Sequence, residues 1–236
     1  MIMNNVVIFA GGIGSRFGSI MPKQFLEINN VPIIIYTIKK FEELDEINEI
    51  VVVCKEEWID YLSTKIKQFE IKKVVAILQG GATAFQSIFC GVNYFKQKYE
   101  DCRLLIHDGV RPLISTESIR NNINIAKTFG NAISYVNATE TIFDNAILNR
   151  ATCKMLRAPQ TFNMNELYES FKKAMQSGKI FIDCASLMSN YGYTLYFSEC
   201  NANNIKITTD IDFKICKLYL EWLIYFLLKI WYNDNI

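Results

Sequence analysis

The sequence predicts an α/β fold in which a doubly wound, mostly parallel sheet carries helices on both faces. Short apolar runs without polar alternation are typical of strands that are buried on both sides. Helical patterns of about 10–15 residues separate these runs, as the crossover connections of a parallel sheet require. Half of the 236 residues are hydrophobic and 21% are charged, which supplies enough apolar surface for the core of one large domain.

The first half of the chain alternates strands and helices regularly. The apolar run at 5–10 (NVVIFA) predicts the first strand, and a glycine-rich loop covers 11–25. The other strands of this half are predicted at 49–54, 74–78, 103–107 and 132–136. Helices are predicted at 31–41, 56–69, 84–98 and 116–129. This alternation indicates βαβ units and therefore a parallel sheet.

The alternation stops between residues 137 and 157, where a weakly alternating stretch has no helical period. We predict a β-arm that leaves the sheet there. Helices at 163–177 and 183–190, a strand at 194–198, a short segment at 205–207 and a final helix complete the chain. Thr209 followed by Asp212 is typical of a capping box at the start of that last helix. No internal repeat or linker interrupts residues 1–236, which we predict to form a single domain.

Composition excludes several classes of function. The net charge is +1 and no Lys/Arg-rich run occurs, which argues against nucleic acid as a partner. His107 is the only histidine, so a multi-histidine metal centre is excluded and histidine-driven acid–base catalysis is disfavoured. The seven cysteines form no CxxC pair and predict free thiols in a reducing cytoplasm. The first residues lack the basic segment and cleavage signal that are typical of secretion.

An apolar C-terminal extension is predicted over residues 218–236. Between Leu218 and Tyr232, only Glu221 and Lys229 are neither apolar nor aromatic. As a helix this stretch would be about 22 Å long, which is too short to cross a hydrocarbon core of about 30 Å. Two alternatives remain open. The helix is either buried in the domain or a subunit interface, or it is a membrane-surface or partner-docking tail.

A cluster of glycines and cations follows the first strand, where a doubly wound sheet opens its ligand crevice. Its glycines are Gly11, Gly12, Gly14 and Gly18. Glycines let backbone N–H groups approach phosphate oxygens closely, and Arg16 and Lys23 bring two positive charges. The loop fits neither the GxxxxGK[ST] pattern of Walker loops nor the GxGxxG dinucleotide motif. It therefore predicts a phosphate-binding loop of another kind, with a ligand-free glycine turn as the alternative.

This loop resembles the AGGxGxRxG…PKQ motif of the cytidylyltransferases that make CDP-linked alcohols, the 2-C-methyl-D-erythritol 4-phosphate and ribitol-5-phosphate cytidylyltransferases. Five further segments resemble that family in order and spacing. They are Gly80-Gly81 with Ser87 (GGxxRxxS), 107–112 (HDGVRP, for HDAxRP), Glu140-Thr141, Arg150 eight residues before Ala158-Pro159-Gln160 (TPQ), and 204–208 (NIKIT, for NIKVT). The AGG form of the loop is closer to the ribitol-type enzymes than to the AAG form of the erythritol enzymes.

The resemblance implies that CTP is joined to the phosphate of a polyol or sugar, with release of pyrophosphate. The nucleophile would be a phosphate monoester, whose second pKa is about 6. It is largely a dianion at pH 7 and needs no general base, so catalysis reduces to alignment and charge neutralisation. Mg²⁺ is expected mainly on the triphosphate oxygens, with no protein residue assigned as its ligand.

The resemblance also implies roles for the residues that touch the nucleotide. Arg16 and Lys23 would stabilise the transition state at the α-phosphate and the leaving pyrophosphate. The CTP pocket is assigned to Ala10, Gly11, Gly12, Gly14, Gly80, Gly81, Ala82, Ser87 and Gly109.

On the acceptor side, Lys206 and Arg150 would hold the polyol phosphate. Arg150 would be supplied across a homodimer interface by the arm at 137–157. Thr141 and Asp108 would contact the polyol, although Asp108 has the nucleotide ribose and the metal as alternatives. Arg111 is assigned to the substrate side, with a structural pair between Asp108 and Arg111 as the alternative.

The chain departs from the family pattern mainly on the substrate side. Residues 82–85 (ATAF) lack the acidic residue and the arginine that usually follow the glycine pair. Ala158 replaces the threonine of TPQ, and Arg157 before it is a candidate for compensation. The arm between Thr141 and Arg150 is about eight residues shorter than is common.

These departures predict an altered acceptor, namely a polyol or sugar phosphate that feeds a surface polysaccharide. Three alternatives remain: the erythritol-phosphate enzyme of isoprenoid synthesis, a non-catalytic nucleotide-binding paralogue, and an enzyme that uses another nucleotide.

Overall fold

The computed structural model of the chain describes residues 2–12 and 21–234, with side chains through residue 222. Its strands are β1 (Asn4–Phe9), β2 (Glu27–Ile28), β3 (Val31–Pro32), β4 (Glu49–Cys54), β5 (Val74–Gln79), β6 (Arg103–Asp108), β7 (Ala132–Asn137), β8 (Phe143–Asp144), β9 (Ala146–Ile147), β10 (Lys154–Asn163) and β11 (Phe197–Glu199). Its helices are α1 (Ile33–Glu42), α2 (Ile59–Gln68), α3 (Ala84–Lys98), α4 (Thr116–Phe129), α5 (Met164–Gln176), α6 (Cys184–Asn190) and α7 (Asp210–Asp234).

Seven strands form one sheet in the order β11-β7-β10-β6-β1-β4-β5. β1 pairs in parallel with β4 on one side and with β6 on the other. From β1 the chain moves outwards to β4 and β5 and then returns across β1 to form β6. Such a reversal is the point at which doubly wound sheets open a ligand crevice at the carboxyl ends of the strands. The predicted fold class is therefore confirmed.

Two apolar layers sandwich the sheet because successive strand residues point to opposite faces. On one face, Val6 and Ile8 pack with residues of α1, α2 and α4. On the other face, Val7 packs with residues of α3, α5 and α6. Gly91 of α3 lies so close to Val7 that an added Cβ would come within 2.4 Å of the Val7 side chain. Burial on both faces explains why the central strands are apolar throughout.

The prediction that residues 137–157 leave the sheet as an arm needs correction at its end. Residues from Lys154 onward belong to β10, which runs antiparallel between β6 and β7 in the middle of the sheet. The strand mixes polar residues and a proline with apolar ones (KMLRAPQTFN), so it lacks the continuous apolar run of its neighbours. Its register is irregular between Leu156 and Gln160, which accommodates Pro159 without a ladder hydrogen bond. The remaining excursion holds the small hairpin of β8 and β9.

Near the C-terminus, the strand predicted at 194–198 is β11, three residues long. The segment at 205–207 has no regular secondary structure, and the Ile207 N–H donates to the Val110 carbonyl at 3.0 Å. The capping box of α7 is confirmed, because an Asp212 carboxylate oxygen accepts from the Thr209 N–H at 2.7 Å and the Thr209 hydroxyl lies 3.4 Å from the Asp212 nitrogen.

The first turns of α7 lie on the surface of the chain rather than inside it. Cys216 and Leu220 are buried, but Leu218 and Trp222 are 67% and 61% exposed. Residues 218–222 of the predicted extension are therefore only partly buried within one chain, and the side chains of residues 223–236 lie outside the described part of the chain. No helix in the described part of the chain has the length and apolarity needed to cross a membrane.

Candidate active site

A cleft opens at the carboxyl ends of β1 and β6, where the topology predicts a ligand site. It consists of two adjoining chambers of about 280 and 220 Å³. We call the larger one, lined by the loop after β1, the loop chamber, and the smaller one, lined by β10 and the start of α6, the strand chamber. Phe9, Ala84, Asp108 and Lys206 line both. These four residues therefore mark the junction at which two ligands would meet.

The loop chamber is walled by Ala10, Gly11, Gly12 and Lys23, as the glycine loop predicts. Gly12 has open space where a Cβ would stand, so its backbone is accessible to a ligand. Of the predicted loop residues, Gly14, Arg16 and Gly18 lie outside the described part of the chain.

Gln24 fixes the start of this loop, a role that the sequence analysis missed. The side chain is 2% exposed, and its Nε2 donates to the Ala10 carbonyl at 2.5 Å and to the Gly12 carbonyl at 3.2 Å. Both loop carbonyls are thereby turned toward Gln24. The signal was present in the sequence as the last residue of the PKQ motif, but its partners became known only from the fold.

The two glycine clusters meet at Ser87 on α3. A Cβ added to Gly80 would lie 2.7 Å from the Ser87 hydroxyl oxygen, and one added to Gly11 would lie 3.2 Å from it. Ser87 is 1% exposed, and its hydroxyl donates to the Thr83 carbonyl at 2.9 Å. The close approach explains why glycine stands at both positions. The structure thus brings Gly11 of the first loop and Gly80 of the second together at Ser87.

The N-terminus of α3 faces the same chamber. Ala82 and Thr83 line it, and Thr83 caps the helix. Its hydroxyl accepts from the Gln86 N–H, and its own N–H donates to the Gln86 side chain, both at 3.2 Å. The unpaired N–H groups at a helix N-terminus favour anions, which adds to the positive potential of Lys23.

Asp108 is the last residue of β6, and its carboxylate forms ion pairs with Arg111 and Lys206 at the junction. Its Oδ2 accepts from Arg111 Nε at 2.7 Å, and its Oδ1 lies 2.5 Å from Lys206 Nζ. Burial acts to raise the pKa of Asp108, but the charges of Arg111 and Lys206 lower it to about 2. The carboxylate is therefore ionised at any physiological pH. The pair between Asp108 and Arg111, which was the structural alternative for these residues, is present, and Lys206 contacts the same carboxylate.

Backbone contacts hold Gly109 and Lys206 in place around this carboxylate. The Gly109 N–H donates to the Phe9 carbonyl at 3.0 Å, and the Thr37 hydroxyl donates to the Gly109 carbonyl at 3.1 Å. Lys206 follows Asn204, which is completely buried and donates from its side chain to the Ala158 carbonyl at 2.7 Å. The Lys206 side chain itself is 41% exposed and can reach a ligand.

His107 has no role at the surface of the cleft. It is completely buried and packs edge-on against the Phe41 ring, with ring centroids 4.9 Å apart. Burial lowers the pKa of His107 to about 3. The imidazole is therefore neutral near pH 7 and sits behind the wall as a core residue, in agreement with a site that uses no histidine base.

The strand chamber is shaped by the segment around Ala158-Pro159-Gln160 and by the start of α6. Gln160 links the sheet to α6, since its Nε2 donates to Asp183 at 3.0 Å and its Oε1 accepts from the Ala185 N–H at 2.9 Å. Asp183 in turn caps α6 through the Ser186 N–H at 2.8 Å. Arg157 and Ala158 form the wall contributed by β10.

Two predicted acceptor residues do not line this cleft. Thr141 and Arg150 are exposed on the arm, and the Arg150 guanidinium donates to the Thr139 carbonyl at 2.9 Å. Within one chain they are not brought to Asp108 and Lys206. Their predicted contribution depends on a second copy of the chain.

The side chains of the cleft provide few ligands for a metal ion. In the portion covered by the structure, no group of three or more His, Cys, Asp or Glu side chains is arranged to hold one. The Asp108 oxygens face Arg111 and Lys206, and those of Asp183 face Gln160 and the α6 N-terminus. A divalent cation would thus need phosphate oxygens for most of its coordination sphere.

The arrangement suits the joining of two anionic ligands. The loop chamber is lined by glycine backbone, Lys23 and the N-terminus of α3. The junction and the strand chamber hold Arg111 and Lys206 around the ionised Asp108. Cations fixed in this way stabilise charge that develops between two phosphate groups without reorganising during the reaction.

Comparison with known proteins gives consistent results. A family model described as 2-C-methyl-D-erythritol 4-phosphate cytidylyltransferase (IspD) matches residues 4–222. A ribitol-5-phosphate cytidylyltransferase of Vibrio parahaemolyticus is 42% identical over 229 residues, covering 93% of this chain and 96% of that protein. A 2-C-methyl-D-erythritol 4-phosphate cytidylyltransferase of Clostridium botulinum is 36% identical over 229 residues, covering 94% and 99%.

Among solved structures, a 4-diphosphocytidyl-2C-methyl-D-erythritol synthase from Anaerococcus prevotii superposes with a TM-score of 0.81. The superposition covers 93% of this chain and 99% of that chain. The two sequences are 22% identical, so this likeness concerns the fold alone.

Proposed function

The chain belongs to the 2-C-methyl-D-erythritol 4-phosphate cytidylyltransferase (IspD) family of CTP-dependent nucleotidyltransferases, and from this premise we propose that its acceptor is ribitol 5-phosphate. The observation that carries the acceptor assignment is the 42% identity to a ribitol-5-phosphate cytidylyltransferase across 93% of the chain. The AGG form of the loop after β1 supports it. The product would be CDP-ribitol for a surface polysaccharide.

In the proposed reaction, a phosphate oxygen of the acceptor attacks the α-phosphorus of CTP. The bond between that phosphorus and the bridging oxygen breaks, and pyrophosphate leaves with the electron pair. The acceptor phosphate has a second pKa of about 6 and needs no base at neutral pH, which is consistent with a buried, neutral His107. The chain therefore contributes alignment and fixed positive charge.

The roles of the residues follow from their chambers. CTP would lie in the loop chamber on Gly11, Gly12 and the start of α3, with Lys23, and by resemblance Arg16, on the α-phosphate and the leaving group. The acceptor would lie in the strand chamber. Lys206, held by Asp108 at the junction, would contact both phosphates as they approach each other.

Mg²⁺ is part of the proposal as a counter-ion of the triphosphate. When bound, it would neutralise charge on the phosphate oxygens. The protein would assist through Lys23 and the α3 N-terminus, because the carboxylates of the cleft already face cations or donors.

The working form is proposed to be a cytoplasmic homodimer. The hairpin of β8 and β9 exposes Phe143 and Ile147 at 73% and 75%, and an isolated hairpin with exposed apolar side chains is typical of a contact surface. A partner arm would also bring Thr141 and Arg150 toward an acceptor site.

A panel of acceptors tests the proposal. Pyrophosphate release is measured with CTP and ribitol 5-phosphate, 2-C-methyl-D-erythritol 4-phosphate, or unphosphorylated ribitol as the control. We expect the highest kcat/KM with ribitol 5-phosphate and none with ribitol. A preference for the erythritol phosphate would establish the alternative that the 36% identity to the Clostridium botulinum enzyme keeps open.

Two other outcomes of this experiment would support the remaining alternatives, a non-catalytic paralogue or an enzyme that uses another nucleotide. CTP binding without turnover of any phosphorylated acceptor would identify a nucleotide-binding paralogue, the alternative raised by Ala84 in place of the family arginine. Equal turnover with UTP or GTP would contradict the assignment of cytidine.

A further inference from the structure

Arg157 lines the strand chamber, but it has no role in the proposed reaction so far. It lies in β10 where the pairing with β7 becomes irregular, between Leu156 and Gln160. Because β10 runs antiparallel to β6, this irregular stretch lies at the same edge of the sheet as the end of β6. The guanidinium is thus placed in the chamber next to Asp108 and Arg111.

Among the described residues, the hydrogen-bond partner of this guanidinium is one backbone carbonyl. Arg157 Nη1 donates to the carbonyl of Asn204, and Arg111 Nη1 donates to the same carbonyl at 2.9 Å. Two guanidinium groups therefore converge on one oxygen. An arginine has five N–H donors, so this bond leaves most of the hydrogen-bonding capacity of Arg157 for other partners.

The charges around Arg157 are not balanced. Arg111 and Lys206 share Asp108, and within the described ranges no carboxylate oxygen lies within 4.0 Å of the Arg157 guanidinium. The other acidic side chain of the chamber, Asp183, accepts from Gln160 and from the Ser186 N–H.

Arg157 also occupies an unfavourable environment for an isolated charge. Its side chain is half-buried, and burial together with the neighbouring charge of Arg111 lowers its pKa. A partly buried cation without a counter-ion costs free energy unless an anion joins it. Perturbed groups of this kind in a cleft are typical of binding sites.

We propose that Arg157 binds the phosphate group of the acceptor within the same chain, and so selects a phosphorylated acceptor over a neutral one. The proposal rests on the cytidylyl transfer proposed above. A guanidinium can bind two oxygens of a phosphate in a forked arrangement and leave the third free to attack CTP. Arg157 thereby supplies, from β10, a phosphate contact that does not depend on Arg150 of the arm.

The test separates this role from a merely structural one. Arg157→Gln retains an N–H donor for the Asn204 carbonyl but removes the charge, and Arg157→Lys retains the charge without the fork. The matched control is Arg120→Gln on α4, which removes an exposed ion pair between Arg120 and Glu46. Steady-state kinetics are measured with CTP and ribitol 5-phosphate, together with the thermal unfolding midpoint of each variant.

We expect Arg157→Gln to raise the KM for the acceptor by about 10- to 100-fold, the usual range for a lost charged hydrogen bond. The KM for CTP and the unfolding midpoint should stay near those of the wild type. The acceptor KM of Arg157→Lys should lie between those of the wild type and Arg157→Gln. The acceptor KM of Arg120→Gln should match that of the wild type. An unchanged acceptor KM in Arg157→Gln would overturn the proposal, as would equal rises in both KM values with a lower unfolding midpoint.

A binding measurement keeps the proposal testable if no acceptor is turned over. With the nucleotide side saturated by a non-hydrolysable CTP analogue, inorganic phosphate is titrated against each protein by calorimetry. Binding that weakens at least 10-fold in Arg157→Gln and not in Arg120→Gln supports the site even where the proposed acceptor fails. Equal phosphate binding by the wild type and Arg157→Gln contradicts it.

Discussion

At the residue scale, Asp108 organises the cleft without taking part in proton transfer. It is ionised at neutral pH because Arg111 and Lys206 flank it, and it positions Lys206 at the junction of the chambers. The carboxylate thus offsets part of the positive charge that two anionic substrates require. We therefore expect function at this scale to depend on fixed cations rather than on titrating groups.

Replacing Lys23 by Ala tests the cation of the loop chamber. We expect kcat with CTP and ribitol 5-phosphate to fall by at least about 100-fold, the usual cost of one preorganised donor at a transition state. The control is Lys127→Ala, an exposed residue at the end of α4, which should retain wild-type kinetics. A near-normal kcat for Lys23→Ala would contradict the role assigned to this lysine.

Replacing His107 by Leu tests the buried neutral imidazole. The pKa of His107 in the folded chain, about 3, lies below its ordinary value of 6.5, so the unfolded chain binds the extra proton. The folded state therefore loses stability as the pH falls below 6.5, by about 1.4 kcal/mol per pH unit until the folded pKa is reached.

Urea unfolding at pH 7 and pH 5 measures this effect. Between the two pH values the wild type should lose about 2 kcal/mol more than His107→Leu. Leu105→Val, on the same face of β6, serves as a non-titrating core control and should keep the wild-type pH dependence. If His107→Leu showed the same loss as the wild type, the imidazole would not be the group responsible.

At the scale of single elements, the stability of the first turn of α3 affects the shape of the loop chamber, where we propose that CTP binds. Its capping box of Thr83 and Gln86 fixes the first turn, and that turn presents Ala82 and Thr83 to the loop chamber. A frayed α3 would lose both the helix N-terminus and the position of Ser87 between the glycines.

Replacing Thr83 by Ala should lower the free energy of unfolding by about 1 kcal/mol, the usual cost of a lost N-cap. Thr83→Ser retains the hydroxyl and should remain within a few tenths of a kcal/mol of the wild type. Chemical denaturation of both variants measures the difference. Equal stability of Thr83→Ala and the wild type would show that the cap contributes nothing.

The exposed face of α7 is also a property of one element. Ile211, Ile215, Leu218 and Trp222 recur at spacings of four and three residues and are 39–67% exposed. Such a stripe is typical of a seam between paired helices, so we propose that it contacts a second subunit.

Replacing Ile215 and Leu218 by Glu should therefore lower the molar mass measured by light scattering at micromolar concentration. The matched control is Lys214→Glu with Lys217→Glu, on the polar side of the same helix. An unchanged mass together with lost binding to anionic vesicles would instead establish the membrane-surface alternative.

At the scale of the whole molecule, the arm decides whether the site is complete within one chain. Thr141 and Arg150 lie outside the cleft of their own chain, whereas Arg157 lies inside it. A shortened arm and an arginine within β10 are consistent with an acceptor site that depends less on the partner.

Replacing Phe143 and Ile147 by Ser tests the arm as a subunit contact. We expect the proportion of dimer in analytical ultracentrifugation to fall, because both side chains are more than 70% exposed in one chain and apolar surface drives association. Replacing Phe129 and Ile182, exposed elsewhere, by Ser is the control. A dimer that persists unchanged in the arm variant would exclude the hairpin as the interface.

The sequence by itself determined the parallel core strands, the crossover helices and the motifs of the nucleotide loop. These depend on local geometry and on burial, which leave periodic apolar patterns and clustered glycines. No pattern in the sequence indicates β10 as a central strand, because polar residues and a proline interrupt its apolar residues. Only the tertiary structure identified the partners of Gln24, Asn204 and Arg157 at the cleft. Their partners lie up to 93 residues away along the chain, and contacts over that distance are set by the packing of the whole sheet.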